Sequence, residues 1–136
     1  MIHKVLSLLC VILFPFPNTT QKDQITWPVH GLTDAETRHS NLDQINRANV
    51  KNLGLAWIFE TGSKRGLEAT PIVVDQTIYF TGTWSNVFAN NANTGEPIWE
   101  YDPQVPRYEG ANACCDVVNR GVAISGLSLI HIWRCR

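Results

Sequence analysis

Between residues 55 and 101 the chain alternates short apolar runs with turn-forming residues. Aromatic and β-branched residues dominate these runs, which is typical of β-strands. We predict five strands, at Leu55–Thr61, Thr70–Val74, Thr77–Thr81, Asn86–Asn90 and Pro97–Tyr101. A two-residue turn at Asp75-Gln76 separates the second strand from the third, and the fifth strand begins a further unit. Short strands at this spacing predict an all-β sandwich or propeller.

The segment before these strands, residues 21–56, is polar and rich in asparagine. Its apolar positions Leu42, Ile45, Val50 and Leu53 recur at spacings of three to five residues. That spacing predicts either a short amphipathic helix or a turn-rich leading segment.

The N-terminus begins with a short basic stretch, Met1–Lys4, which precedes the apolar run Val5–Phe14. A run of about ten apolar residues is too short to span a bilayer, but it has the length of a signal-peptide core. We therefore predict a signal peptide over residues 1–18, export to the periplasm and no membrane span after cleavage. A buried N-terminal helix is the alternative. Export would place the cysteines in an oxidising compartment.

The C-terminal residues 127–136 resemble the translation of a transposase sequencing adapter. On this interpretation the reading frame was interrupted by the sequencing read, and residues 19–126 are the part that carries biological information. We then expect the segment beyond Gly126 to pack poorly. The alternative is a natural apolar strand with a basic end.

Composition narrows the class of protein. Hydrophobic residues make up 44% of the chain and charged residues 17%, which is typical of a globular domain. The formal net charge is -1 and there is no run of basic residues, so nothing indicates a nucleic-acid partner.

The segment Ala89–Trp99 contains a motif that favours the propeller. It resembles the tryptophan-docking motif of quinoprotein propellers, Ala-x-Asp-Ala-x-Thr-Gly-x-x-x-Trp, with Asn91 where Asp is usual. Asn supports the same turn hydrogen bonds as Asp, and the glycine of such a tight turn is Gly95. The strand after the turn would direct Trp99 at the neighbouring blade. An ordinary hairpin with a buried tryptophan is the alternative.

Two adjacent cysteines, Cys114 and Cys115, are the most unusual feature of the chain. Consecutive Cα atoms lie about 3.8 Å apart, whereas an ordinary disulfide joins Cα atoms roughly 4.4–6.8 Å apart. A bond between these neighbours would close a small, strained ring, and such strain clusters at functional sites. Two free thiols are the other possibility, and the pair alone does not decide between them.

Together with the docking motif, several segments carry a closer resemblance, and they occur in a defined order. They are Trp27–Gly31, Arg38–Ser40, Leu42–Asn46, Asn49–Leu53, Gly66–Pro71 and Cys114–Gly121. They closely resemble the amino-terminal part of the pyrroloquinoline-quinone (PQQ)-dependent alcohol dehydrogenases of the methanol and ethanol type. The resemblance runs from about Trp27 to Ile124. It implies about one blade, plus the leading segment, of an eight-bladed β-propeller.

The resemblance also implies roles for four residues. Cys114 and Cys115 would form a vicinal disulfide that stacks on one face of the PQQ cofactor. Glu68 would lie near the polar edge of the cofactor. Arg120 would donate hydrogen bonds to its quinone and acid oxygens, which suits a planar side chain with several donors.

The implied reaction is the oxidation of primary alcohols to aldehydes. A calcium or lanthanide ion would polarise the quinone carbonyl, a carboxylate would take the hydroxyl proton, and a cytochrome c-type acceptor would receive the electrons. In the family the metal ligands and the catalytic aspartate lie further along the chain. No catalytic or metal-ligating residue is therefore assigned in this chain.

Two other classes of protein compete with this interpretation. A non-catalytic propeller scaffold of the outer-membrane assembly type would share the docking motif but has no need for the cysteine pair followed by Arg120. A small redox module would use Cys114 and Cys115 as a switch, and it requires these 136 residues to be the complete protein. The uninterrupted reading frame downstream of Gly126 would distinguish the three.

Overall fold

The structure is a computed structural model that describes residues 26–113, 116–125 and 128–131. The predicted signal peptide, the Cys114–Cys115 pair and the last five residues lie outside the described residues. The described part of the chain contains strands and short 3₁₀ turns. The strands are β1 (Ile72–Val74), β2 (Thr77–Thr81), β3 (Val87–Asn91), β4 (Pro97–Tyr101), β5 (Val122–Ser125) and β6 (Ser128–His131). The 3₁₀ turns are η1 (Val50–Asn52), η2 (Thr83–Ser85) and η3 (Arg107–Asn112).

Strands β1 to β4 form one antiparallel sheet in chain order. Val74 pairs with Thr77, so Asp75 and Gln76 form the predicted two-residue turn. Both turn residues have positive φ, 49° and 63°, as hairpin turns that match the strand twist require. The predicted bounds of β2 and β4 are confirmed. The fifth predicted strand, which is β4, does not begin a further unit, because it pairs with β3 and completes this sheet.

The turn between β3 and β4 is built by its own side chains. The Asn91 side-chain oxygen accepts hydrogen bonds from the backbone N–H groups of Asn93 and Thr94, at 2.9 and 3.2 Å. Gly95 follows with φ +76°, a conformation that glycine adopts without steric cost. Asn91 therefore supports the turn in the way predicted for this motif.

Apolar side chains cover both faces of the sheet at β1, β2 and β3, whereas β4 is exposed along its length. On one face, Ile72 and Val87 are almost completely buried and pack with Val122 of β5. On the other face, the Phe80 and Phe88 rings stack with their centroids 5.2 Å apart, and Phe59 packs edge-on against both. A sheet buried on both faces requires apolar residues at successive positions, which explains the continuous apolar run in β3.

Strand pairing was predicted at Leu55–Thr61, and this prediction is wrong. The segment contains no strand in the structure, although its side chains alternate in burial as they would in one. Trp57 and Phe59 face the sheet, whereas Ile58 between them is 74% exposed. Leu55 departs from the alternation, because it is 82% exposed although a period of two places it on the Trp57 face. The sequence pattern therefore reports the alternation from Trp57 onward correctly, but the described residues provide no partner strand for a hydrogen-bonded ladder.

Trp57 docks on the turn between β3 and β4. Its indole Nε1 donates a hydrogen bond to the Ala92 carbonyl oxygen at 3.1 Å. A Cβ atom on Gly95 would lie only 2.6 Å from the Trp57 ring, so the absence of a side chain lets the indole approach. The motif was expected to present its own Trp99 to a neighbouring blade. In the described part of the chain, the indole seated on this turn belongs to Trp57. The direction of Trp99 toward a neighbouring blade stays a prediction.

The leading segment is turn-rich. Among its described residues, backbone hydrogen bonds such as Leu32 N–H to the Val29 carbonyl oxygen close several turns, and η1 is a short 3₁₀ turn. Its apolar side chains Leu42, Ile45, Val50 and Leu53 are all exposed. The helical alternative is thus wrong for the described residues. No helix in the part of the chain that the structure describes has the length and apolar character needed to cross a bilayer.

Strands β5 and β6 form a separate antiparallel pair, in register from Val122–His131 to Ser125–Ser128. Leu129 packs against the cluster formed by Ile72 and Val87. The backbone pairing of β6 with β5 and the packing of Leu129 contradict the expectation that this part of the segment beyond Gly126 packs poorly. The physical reason is that an apolar run beside an unpaired strand edge gains backbone hydrogen bonds and burial by pairing with it.

Candidate functional site

The structure brings two of the predicted site residues together. Glu68 precedes β1 and Arg120 precedes β5, and their side chains form an ion pair with an Nη2–Oε2 distance of 3.3 Å. The backbones of the two segments are also joined, since the Thr70 N–H donates to the Arg120 carbonyl oxygen at 3.2 Å. Two segments that are distant in the sequence therefore form one polar corner of the molecule.

The charged groups of this corner remain accessible. The Arg120 side chain is 67% exposed and the Glu68 side chain is 44% exposed. An ion pair this exposed contributes only about 0–1 kcal/mol to stability. Its chemical value is different: a guanidinium offers five donors in a rigid plane, and one carboxylate contact leaves most of them free for a ligand rich in acceptor oxygens.

The described residues on either side of the two cysteines make hydrogen bonds or ion pairs. On the N-terminal side, η3 ends at Asn112, and Ala113 donates its N–H to the Gly110 carbonyl oxygen. On the C-terminal side, Asp116 has φ +76° and forms a salt bridge with Arg65. Cys114 and Cys115 themselves lie outside the described residues, so their proposed disulfide stays a prediction.

Trp84 links both of these flanks. Its backbone N–H donates to the Val117 carbonyl oxygen at 2.8 Å, and its ring lies so close to Gly110 that a Cβ there would be 2.8 Å from it. The Arg107 guanidinium lies 4.3 Å from the ring centroid, within the range of a cation–π interaction. Trp84 also has φ +59°, a conformation uncommon for a bulky residue and concentrated at functional sites.

A small cavity lies between Trp84 and the segment that contains the cysteines. Its lining includes Val105, Glu109, Ala113 and Val117. The volume of about 20 Å³ is room for a water molecule, not for an organic cofactor. The cavity alone is therefore too small to hold an organic cofactor.

Sequence reasoning missed several residues beside the cysteine segment. Trp84 lies in η2 and Arg65 in a loop, neither within a recognised motif, and only their contacts in the structure connect them to the residues that flank the cysteines. Asp116 and Asn119 could have been found from the sequence, because they belong to the same Cys114–Gly121 segment as Arg120. Their position beside the predicted cofactor-binding residues was the available signal. Among the described residues, no group of three or more His, Cys, Asp or Glu side chains is placed to hold a metal ion.

Comparison with protein families gives one match over most of the chain. Residues 27–128 match the family described as "PQQ: Glucose/ethanol/alcohol dehydrogenase, beta-propeller domain".

Curated relatives are similar over the same region. The quinohemoprotein alcohol dehydrogenase of Comamonas testosteroni is 58% identical over 108 residues, which are 79% of this chain and 15% of that protein. The 1-butanol dehydrogenase (cytochrome c) of Thauera butanivorans is 50% identical over 120 residues, which are 88% of this chain and 17% of that protein. The chain thus spans about one sixth of the length of these relatives.

Solved structures agree with the fold. The crystal structure of the Comamonas testosteroni enzyme superposes with a TM-score of 0.70 at 57% identity, over 73% of this chain and 15% of that chain. A europium-containing methanol dehydrogenase superposes with a TM-score of 0.71 at 38% identity, over 78% of this chain and 19% of that chain. The prediction of a propeller is confirmed, with the chain matching only a part of it.

Proposed function

Since this chain belongs to the family of PQQ-dependent glucose, ethanol and alcohol dehydrogenase β-propellers, we propose that it forms one wall of a PQQ site. The site would belong to a longer quinoprotein that oxidises primary alcohols. The single observation that carries the proposal is the meeting of Glu68 and Arg120 at one accessible corner.

The residues of the corner fit this cofactor chemically. PQQ carries carboxylate and carbonyl oxygens, and when bound it accepts the electrons that leave the alcohol. Arg120 would donate hydrogen bonds to these oxygens and balance their negative charge. Glu68 would hold the guanidinium in place through the ion pair it already makes. Cys114 and Cys115 would supply an apolar surface beside them if they are bridged.

Other parts of the proposal rest on the relatives. One relative is named as a cytochrome c-linked butanol dehydrogenase, which supports an alcohol substrate and a cytochrome c-type acceptor. A europium-containing methanol dehydrogenase among the similar structures supports calcium or a lanthanide as the metal. We place the metal ligands and the catalytic carboxylate outside this chain. Periplasmic location, through a signal peptide over residues 1–18, belongs to the same proposal, as does the division into residues 19–126 and an adapter-derived tail.

The test is a cofactor titration of the full-length protein encoded by the uninterrupted reading frame. Arg120→Ala should weaken PQQ binding about ten- to a hundredfold, because a hydrogen bond to a charged group contributes about 1.5–3 kcal/mol. Arg47→Ala removes an exposed cation from the leading segment and is the matched control, with unchanged affinity.

Two outcomes would contradict the proposal. If PQQ affinity is the same in Arg120→Ala as in the unaltered protein, Arg120 lies outside the cofactor site. If the full-length protein, supplied with PQQ and either calcium or a lanthanide, shows no dye-linked oxidation of ethanol or 1-butanol, the assignment as an alcohol dehydrogenase fails.

A further inference from the structure

A buried asparagine lies directly beside the proposed cofactor-binding arginine. Asn119 is only 3% exposed, whereas the side chain of its neighbour Arg120 is two-thirds exposed. A buried amide is stable only when its polar groups are hydrogen-bonded. The partners of Asn119 therefore indicate what it holds in place.

The Asn119 side chain bridges across Arg120. Its Oδ1 accepts a hydrogen bond from the Gly121 N–H at 2.9 Å, so the bond runs from one residue to the second residue after it. This is the pattern of an Asx turn, which fixes the backbone of the residue between. Gly121 has φ +137°, which only glycine adopts readily.

Buried groups then anchor this turn to the sheet. The Thr81 hydroxyl at the end of β2 donates to the Asn119 carbonyl oxygen at 3.1 Å, and the Asn119 side chain contacts the Ser85 hydroxyl at 3.5 Å. The Arg120 carbonyl oxygen accepts from Thr70 beside Glu68. The backbone of Arg120 is thus fixed on both sides, while its guanidinium remains available to a ligand.

We propose that Asn119 is a positioning residue for the cofactor site. By fixing the backbone of Arg120, it directs the guanidinium toward the ligand before the ligand arrives. This inference rests on the proposed role of Arg120 in binding PQQ. A pre-organised side chain binds more tightly because less conformational freedom is lost on binding.

The test is a double-mutant cycle on PQQ affinity in the full-length protein. Asn119→Ala should weaken binding by up to about tenfold, because the turn that orients Arg120 is lost and more of the side chain's freedom must be given up on binding. In an Arg120→Ala background the same substitution should cause no further loss, because its effect passes through the guanidinium. A purely structural role would weaken binding equally in both backgrounds, and that result would overturn the inference.

A matched control and a conservative variant complete the test. Asn90 is also buried, and its side chain donates to the Gly95 carbonyl oxygen at 2.9 Å, away from Arg120. Asn90→Ala should lower the unfolding temperature but leave PQQ affinity unchanged. Asn119→Ser retains a side-chain oxygen that forms the same turn more weakly, so it should bind PQQ more tightly than Asn119→Ala. If the alanine variant does not fold, the serine variant takes its place in the cycle.

The cycle separates the two proposals. If Arg120→Ala leaves PQQ affinity unchanged, the proposed cofactor site and this inference both fail. If Arg120→Ala weakens binding but Asn119→Ala and Asn119→Ser do not, the cofactor site stands and only the role of Asn119 is refuted.

Discussion

Gly95 offers a quantitative test of the docking of Trp57, because a second glycine provides a matched control. Gly95 and Gly62 have nearly the same backbone conformation, with φ +76° and +71°. Alanine at either position would incur the left-handed backbone cost of about 1–2 kcal/mol. A Cβ at Gly62 would meet nothing within 4 Å, whereas a Cβ at Gly95 would lie 2.6 Å from the Trp57 ring.

The surplus cost at Gly95 follows from that distance. Carbon atoms in contact prefer about 3.5–4.0 Å, so the indole would have to retreat by roughly 1 Å. The Trp57–Ala92 hydrogen bond is 3.1 Å long. That displacement would stretch it past the distances at which hydrogen bonds form, so the bond would break. Overpacking of this kind costs about 1–3 kcal/mol. Gly95→Ala should therefore destabilise the protein by about 1–3 kcal/mol more than Gly62→Ala.

Urea unfolding of the cofactor-free full-length protein measures the difference, and hydrogen exchange across β3 and β4 locates it. In a Trp57→Leu background the surplus should largely disappear, because the smaller side chain leaves room for the new methyl group. Equal destabilisation by the two alanine substitutions would refute the reasoning. So would a surplus that persists undiminished after Trp57 is replaced.

Two further predictions concern the core and the cysteines. Ile72→Ala should destabilise the protein by about 2–5 kcal/mol in urea unfolding, because it leaves a cavity at a side chain that is 1% exposed. Ile98→Ala, at an exposed position of β4, should change stability by less than about 0.5 kcal/mol, and a similar loss for both would contradict the assigned core. For the cysteines, mass spectrometry of the non-reduced full-length protein should find the peptide with Cys114 and Cys115 lighter by two hydrogen atoms. Full alkylation of both thiols without reductant, in active holoenzyme, would exclude the vicinal disulfide.

The sequence predicted the sheet well where a strand pairs with its neighbour in the chain. β2 and β4 have the predicted bounds, and the Asp75-Gln76 turn forms as expected, because alternation, turn residues and local pairing all act over short distances. The sequence prediction failed at Leu55–Thr61. The side chains from Trp57 onward alternate in burial, but a strand also needs a partner strand, which no local sequence pattern reports.

The candidate site was predictable in part for a similar reason. Glu68 and Arg120 were identified through the family resemblance, and the structure adds that they meet. The contribution of Trp84 was not predictable, because it depends on contacts with two segments distant in the chain, Arg107 and Gly110 of η3 and Val117. Only the folded arrangement shows that one indole joins them.

The hydrogen bond between Thr70 and Arg120 has a consequence for the order of folding. It joins two segments that are separated in the chain by all four strands of the sheet. The chain between Thr70 and Arg120 must therefore form a closed loop before this hydrogen bond can exist, and closing so long a loop slows folding. The corner can then exist only after β1 and β5 have met. A ligand held by both Glu68 and Arg120 would bind the closed chain and not the open one. At a concentration one hundred times its dissociation constant, such a ligand would stabilise the closed state by about 2.7 kcal/mol. Its presence in the compartment where the protein folds would therefore favour the pairing of the Thr70 and Arg120 segments.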